Sequence, residues 1–261
     1  MIGTGFEFYF ILLVFAIPGI VIGFTVHEYC HALVATSFGD PTPRSQGRLT
    51  LNPATQIYPL GLVMLVLFGF GYARPVEYNP RYVRGGGQRA WLSLVGPLSN
   101  LLLAALFGIL LRVLIAADPE VQACVVPSFA LTAAGYVYWL LTEAFFINVI
   151  LCVFNLIPIP PLDGYGVAEG LLRGRFPAPF QWIDRNRVWI YVVALLLFFI
   201  LPNYGSGGVS ISTPIVGAAN LLWERVVNSA PPLALFPNFQ YLFEPGSNSM
   251  AQLLLNPCSP F

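Results

Sequence analysis

The sequence predicts an all-α integral membrane protein, a polytopic helical bundle of about four to six membrane segments, one of them re-entrant. Three observations carry that prediction. Of the 261 residues, 57% are hydrophobic and only 9% are charged, against about 25% charged in an average soluble domain. The mean hydropathy of +0.73 comes from long apolar blocks rather than from even enrichment. The charges that remain, twelve basic residues and twelve acids, lie mostly between those blocks. Every basic residue is Arg, and the absence of a polybasic run gives no ground for a nucleic-acid partner. The expected surroundings are a lipid bilayer.

The elements follow in order. Phe8 to Val26 holds no charge, and the helical pattern continues to about Phe38, long enough to span with some tilt. There is neither a basic n-region nor a small-residue cleavage site, so this run reads as a retained helix. Gly39-Asp40-Pro41 stops it, and a polar loop over 40–57 carries Arg44 and Arg48. Tyr58 to Phe70 is apolar but only about 13 residues, which suits a re-entrant or interfacial segment, with both flanks on one side, better than a full span. Residues 71–89 are the most basic loop, with Arg74, Arg81, Arg84 and Arg89 against Glu77, and a hinge at Gly85-Gly86-Gly87.

Ala90 to Ala116 is the second span, broken near its start by Gly96-Pro97, and Asp118 and Glu120 follow it. Leu131 to Leu156 is the third, halted by Pro158, Pro160 and Pro161. A short helix over Gly164–Leu172 leads to a loop with Arg173, Arg175, Arg185 and Arg187, and then to an apolar helix over Val188–Leu201. Pro214 to Val227 reads as an interfacial helix because of Glu224 and Arg225, and the Pro-rich stretch beyond Ala230 as irregular. Residues 1–204 are thus the expected membrane core and 205–261 a C-terminal interfacial helix and tail. Alternation of the spans puts the Arg-rich loops on one side. The positive-inside rule makes that side cytoplasmic and the N-terminus external, in a bacterial-type cytoplasmic membrane.

The chain contains two histidines, and they stand together as His27-Glu28-Tyr29-Cys30-His31. On a helix, positions i and i+4 share a face with side-chain roots about 5–6 Å apart, so two imidazoles can converge on one ion. Zinc, one per chain, is the natural candidate. Glu28 is turned about 100° around the axis, better placed to hold the attacking water than to be a third ligand. Its expected role is general base, and the expected reaction is peptide hydrolysis. Cys30 reads as an ordinary buried thiol.

Catalytic zinc usually takes three protein ligands, and no further His exists. The third must be a carboxylate near the same membrane face. Asp163, in Asn155-Leu-Ile-Pro-Ile-Pro-Pro-Leu-Asp163-Gly164, returns to that face after the third span. It could instead cap the helix that starts beside it. Glu143 is the other intramembrane acid, at a depth that does not match the histidines.

With these residues in place the sequence resembles the site-2 protease family of intramembrane zinc metalloproteases, in its branch without a PDZ or CBS domain. The resemblance covers roughly residues 20–170. It rests on the His27–His31 motif, on Gly47-Arg48-Leu49-Thr50-Leu51-Asn52-Pro53, on Ala73-Arg74-Pro75-Val76, on Gly96-Pro97-Leu98-Ser99-Asn100, and on Phe154-Asn155 through Asp163-Gly164. It implies zinc held by His27, His31 and Asp163, with Glu28 as the acid–base residue. It also implies that Asn155, and Asn100 or Asn148, touch the substrate backbone or the transition-state oxygen, the alternative for Asn100 and Asn148 being helix–helix hydrogen bonds. In one respect the chain departs: relatives in this branch tend to carry His where it has Gln56.

The expected substrate is a single-span membrane protein whose helix unwinds locally to be cut. A separate adaptor or a homo-oligomer would supply selectivity the core lacks. A metal-binding membrane transporter would also use intramembrane His and Asp, but it leaves Glu28 unexplained. A non-catalytic membrane-helix chaperone of the same fold is the third reading.

Overall fold

A computed structural model describes residues 2–68, 73–122, 132–194 and 212–227. Among them the only regular structure is helical, apart from one isolated antiparallel bridge between Ile57 and Ala73. Three helices are long and apolar enough to cross a membrane: Leu13–Ser37 within α1 (Ile2–Ser37), α5 (Gly86–Ala117) and α6 (Ala133–Asn155).

α1 ends because its sequence supplies a stop. Gly39 takes a left-handed φ of 91°, its N–H donates to Thr36 O at 2.9 Å, and the Asp40 N–H reaches back to Ala35 O at 3.2 Å. This is the Schellman arrangement, which satisfies the last carbonyls of the helix. Asp40, fully buried, then accepts from Thr42 N at 2.9 Å and from Asn79 N at 2.6 Å, fastening the loop after α1 to the loop before α5. The polar loop holds two single turns, α2 (Thr42–Ser45) and α3 (Pro53–Gln56), the latter capped by the Asn52 side chain. The short apolar segment forms α4 (Pro59–Phe68). Its flanks meet at the Ile57–Ala73 bridge.

Two expectations are corrected here. α5 starts at Gly86 rather than Ala90 and runs unbroken through Gly96-Pro97. Apolar surroundings penalise any unsatisfied backbone group, so continuing the helix is favoured over fraying it at a proline. The Arg-rich stretch after α7 (Asp163–Leu172) is not all loop, since Pro177–Arg185 forms α8. Pro177 sits in the first turn, where its missing N–H costs nothing. Residues 187–194 form α9 and Ser212–Val226 form α10. The expected reach of α9 to Leu201 and the tail beyond Ala230 lie outside the described residues.

The chain divides into two compact units. One comprises 1–20, 102–150 and 202–261. Its interior is aromatic: Trp223 of α10 stacks on Phe146 of α6 with ring centres 5.2 Å apart and meets Phe145 edge-on at 5.3 Å. The other comprises 21–101 and 151–201 and contains His27, Glu28, His31 and Asp163.

Candidate metal centre

Three elements of that second unit deliver the site. The i, i+4 spacing on α1 puts His27 and His31 on one face, with ring centres 4.7 Å apart. α7 brings Asp163 to them, as its first helical residue; Leu162 occupies the N-cap position, and no side chain caps this helix. The chain reaches α7 through a proline-rich turn containing a cis Pro160–Pro161 bond. α7 is held against the start of α5 by close backbone approach: a Cβ on Gly170 would lie 2.5 Å from Gly86 O and 2.6 Å from Ala90 N. Arg89 of α5 also pairs with Glu169 of α7 at 3.1 Å.

One ligand atom from each of His27, His31 and Asp163 lies within 4.8 Å of the others. Asp163 Oδ2 is 3.0 Å from His27 Nε2 and 3.4 Å from His31 Nε2, and the two Nε2 atoms are 3.1 Å apart. The other ring nitrogens are already committed. His31 Nδ1 donates to the carbonyl of Leu92 at 2.7 Å. His27 Nδ1 lies 2.7 Å from Asn100 Oδ1, and because the Asn100 amide nitrogen donates to Gly23 O at 3.2 Å, its oxygen is the end that accepts. Both protons therefore sit on Nδ1, and both Nε2 atoms turn a lone pair toward the carboxylate oxygen. Asp163 Oδ2 is itself buried without a hydrogen bond. With neutral rings, three acceptors face one another there and repel unless a cation, a proton or a metal ion, lies between, and two imidazoles with one carboxylate suit zinc.

Gly96 completes the cradle. A Cβ there would fall against His31 Nε2 and 2.6–2.7 Å from His27 Cε1 and Nε2, so only glycine lets α5 pass beneath the imidazoles.

Glu28, buried at 8% exposure, has its own setting. Its Oε2 accepts from Val76 N at 3.0 Å and lies 3.7 Å from Arg48 Nη2. Arg48 is 1% exposed. Its guanidinium donates to Thr55 O at 2.7 Å and to Arg74 O, and burial pulls its pKa below the ordinary arginine value while Glu28 pulls it back up. Gln56, fully buried, donates to Arg48 O at 2.9 Å and Thr50 O at 2.7 Å.

The structure thus brings together His27, His31 and Asp163 with Glu28 beside them. Asn100 reaches the cluster as the partner of His27. Asn155 donates to Leu151 O at 2.9 Å within its own helix. Asn148 belongs to the aromatic unit, where it donates to Ala144 O at 2.8 Å and Gly19 O at 3.5 Å. Glu143, also in that unit, is fully buried. Sequence reasoning missed the contributions of Gly96, Arg48, the Leu92 carbonyl and the Val76 N–H. The first two stand inside motifs that were visible without a role, whereas a backbone carbonyl or N–H leaves no trace in residue identity.

Comparison with known proteins agrees with this chemistry. The profile of peptidase family M50 matches residues 15–200. YwhC of Bacillus subtilis, named as a zinc metalloprotease, is 38% identical over 188 residues, which cover 72% of this chain and 81% of that relative. Rip2 of Mycobacterium tuberculosis, with the same designation, is 34% identical over 192 residues, covering 72% and 67%. Its counterpart in Mycolicibacterium smegmatis is 31% identical over 192 residues, covering 71% and 67%. No solved structure matches the chain. With the family profile spanning most of the sequence and an acceptor triad of the kind zinc requires, the chain belongs to peptidase family M50, the site-2 proteases, and is a zinc metalloprotease of the membrane.

Proposed function

We propose that this protease cuts a peptide bond within or next to the transmembrane helix of a single-span membrane protein, with His27, His31 and Asp163 as the zinc ligands and Glu28 as the general base. The observation that carries the reading is the convergence of His27 and His31, on a helix apolar enough to cross a membrane, with Asp163, and a buried carboxylate on the residue adjoining His27. Ionisable groups in membrane segments are costly and serve function by default.

Bound zinc supplies Lewis acidity, polarising the scissile carbonyl and bringing the pKa of the attacking water toward about 7. The chain's own residues do the rest. Glu28 takes a proton from the attacking water and passes it to the departing amine nitrogen. Asn100 and the Leu92 carbonyl keep the imidazole protons on Nδ1, so that both Nε2 lone pairs stay directed inward. Burial of His27 and Glu28 keeps bulk water from competing with the substrate. The bond to be cut is shielded while helical, so the substrate must unwind locally in a protein-lined cavity. The Arg-rich loops next to the histidine end of α1 support a site nearer the cytoplasmic face.

Zinc content and cleavage of a tagged single-span membrane protein, compared between wild type and Glu28→Gln, test this. Zinc retained with cleavage reduced by about 100-fold or more is the expected result. Cleavage that survives the substitution would remove Glu28 from the mechanism, and metal-dependent flux in place of cleavage would favour a transporter.

A further inference from the structure

Two stretches singled out in the sequence, Gly47-Arg48-Leu49-Thr50-Leu51-Asn52-Pro53 and Ala73-Arg74-Pro75-Val76, have no part in holding zinc. In the fold they meet at one place. The backbone of the second pairs with the end of the first loop, through the Ile57–Ala73 bridge and an Arg74 N–H to Gln56 O bond of 2.8 Å. Arg48 stands at the centre of the junction, its guanidinium shared between Thr55 O, Arg74 O and the Glu28 carboxylate.

We infer that Arg48 is a positioning residue for catalysis: it locks the 73–76 segment to the 48–56 loop and, through the charge it sets beside Glu28 Oε2, fixes which carboxylate oxygen meets the water. The inference rests on Glu28 being the base. Both observed contacts of that carboxylate, from Arg48 and from the Val76 N–H, fall on Oε2. Oε1 takes neither, and it is the oxygen so directed to the proton it must accept. A carboxylate without these two contacts would rotate about its last torsion, which is broad for Glu, and spend time with neither oxygen aimed.

The residue type is suited to the task. A planar guanidinium presents five donors in a fixed fork, so it can serve two carbonyls on separate segments and a carboxylate together. A lysine ammonium is a point charge on a flexible stem and cannot hold that geometry. A buried arginine at 1% exposure is expensive unless such partners compensate it, and its loss leaves the partners uncompensated. Gln56 acts one step further out. Its amide clamps the Arg48 and Thr50 carbonyls, which keeps the loop closed around the arginine stem.

The experiment uses the full-length chain in lipid, a tagged single-span membrane protein that wild type cleaves, and four variants: Glu28→Gln, Arg48→Lys, Arg48→Met and the double variant Glu28→Gln/Arg48→Met. Arg48→Met is expected to keep its zinc and its KM within about twofold while kcat falls by about 10–100-fold, the range seen when a supporting partner of a catalytic group is removed. Arg48→Lys is expected to recover part of that loss, because the charge beside Oε2 returns without the fork. The double variant should be no slower than Glu28→Gln alone, since an arginine that works through Glu28 has nothing left to position. Arg48→Met with full kcat would overturn the inference. So would a loss shared by zinc content and KM, or a double variant slower than Glu28→Gln, because either marks a merely structural arginine. An active Glu28→Gln would instead overturn the general-base reading on which the inference rests, and the two failures are therefore distinguishable.

Discussion

The two compact units bury polar groups in different ways. In the unit built from 21–101 and 151–201, five of the buried polar side chains, His27, Glu28, Arg48, Gln56 and Asn100, are connected: Asn100 bonds His27, Arg48 faces Glu28, and Gln56 holds the Arg48 backbone. In the other unit Thr142, Glu143 and Asn148 sit on one helix that also carries Trp139, Phe145 and Phe146, and the packing there is aromatic on aromatic. Burial of a charge is thus no guide to chemistry by itself. What separates the first unit is that its polar atoms converge, leaving Asp163 Oδ2 and two imidazole lone pairs facing one point. In the second, Asn148 is absorbed by backbone carbonyls of its own helix and of Gly19.

A single methyl group is expected to disable the first unit with His27, His31 and Asp163 all in place. Gly96→Ala places a Cβ against both imidazoles, and overpacking of this kind costs about 1–3 kcal/mol, equivalent to a zinc affinity weaker by about 5–150-fold. Zinc titration of the purified variant measures this. Wild-type affinity in Gly96→Ala would mean that the imidazoles are free to move aside and that the cradle is not set by α5.

Most of the candidate cluster was legible because helix periodicity alone makes His27 and His31 neighbours, and because the chain offers no other imidazole. Asp163 was legible from the prolines that precede it. The start of α5, its continuity through Pro97 and the helix α8 were not. Local sequence signals a break at Gly-Pro and a loop at an Arg- and Pro-rich stretch, and only the surroundings decide otherwise: an apolar medium for α5, and for α8 the packing of Phe180 on Tyr165 at 5.9 Å. Roles for Asn100, Arg48 and Gly96 depend on which elements meet, which residue identity does not encode.

The converse test lies in the aromatic unit. Trp223→Ala removes a side chain that is fully buried and stacked on Phe146. In soluble cores such truncations cost about 3–5 kcal/mol, and here the low end, about 3 kcal/mol, is expected, because lipid tails offer an exposed indole nearly as apolar a setting and only packing is lost. Thermal unfolding in lipid should show a lower midpoint, while zinc per folded chain stays at the wild-type value. A loss of zinc at temperatures where the variant remains folded would break the distinction drawn between the units.

The smallest effect is expected where α7 meets α8, in the unit that holds the His27–His31–Asp163 cluster. Tyr165, buried, donates its hydroxyl to Asp184 Oδ1 at 2.9 Å, and Arg173 donates to Asp184 Oδ2 at 2.7 Å. Burial works against ionisation of Asp184, but the Tyr165 hydroxyl and the Arg173 guanidinium outweigh it and hold the carboxyl below its ordinary value. A carboxyl depressed in the folded state stabilises the fold above its unfolded pKa, about 4, and that contribution is lost as the pH falls through the folded value. Because the Asp184 side chain is 38% exposed, solvent screens most of the charge interaction, and the hydroxyl bond is the larger part of what Tyr165→Phe removes. A loss of about 0.5–1.5 kcal/mol at neutral pH follows, read as a small drop in unfolding midpoint that narrows below about pH 4. A drop that stayed constant down to pH 2 would assign Tyr165 a packing role alone. A drop accompanied by lost zinc would mean that this junction, and not only the glycine contact between α7 and α5, sets the position of Asp163.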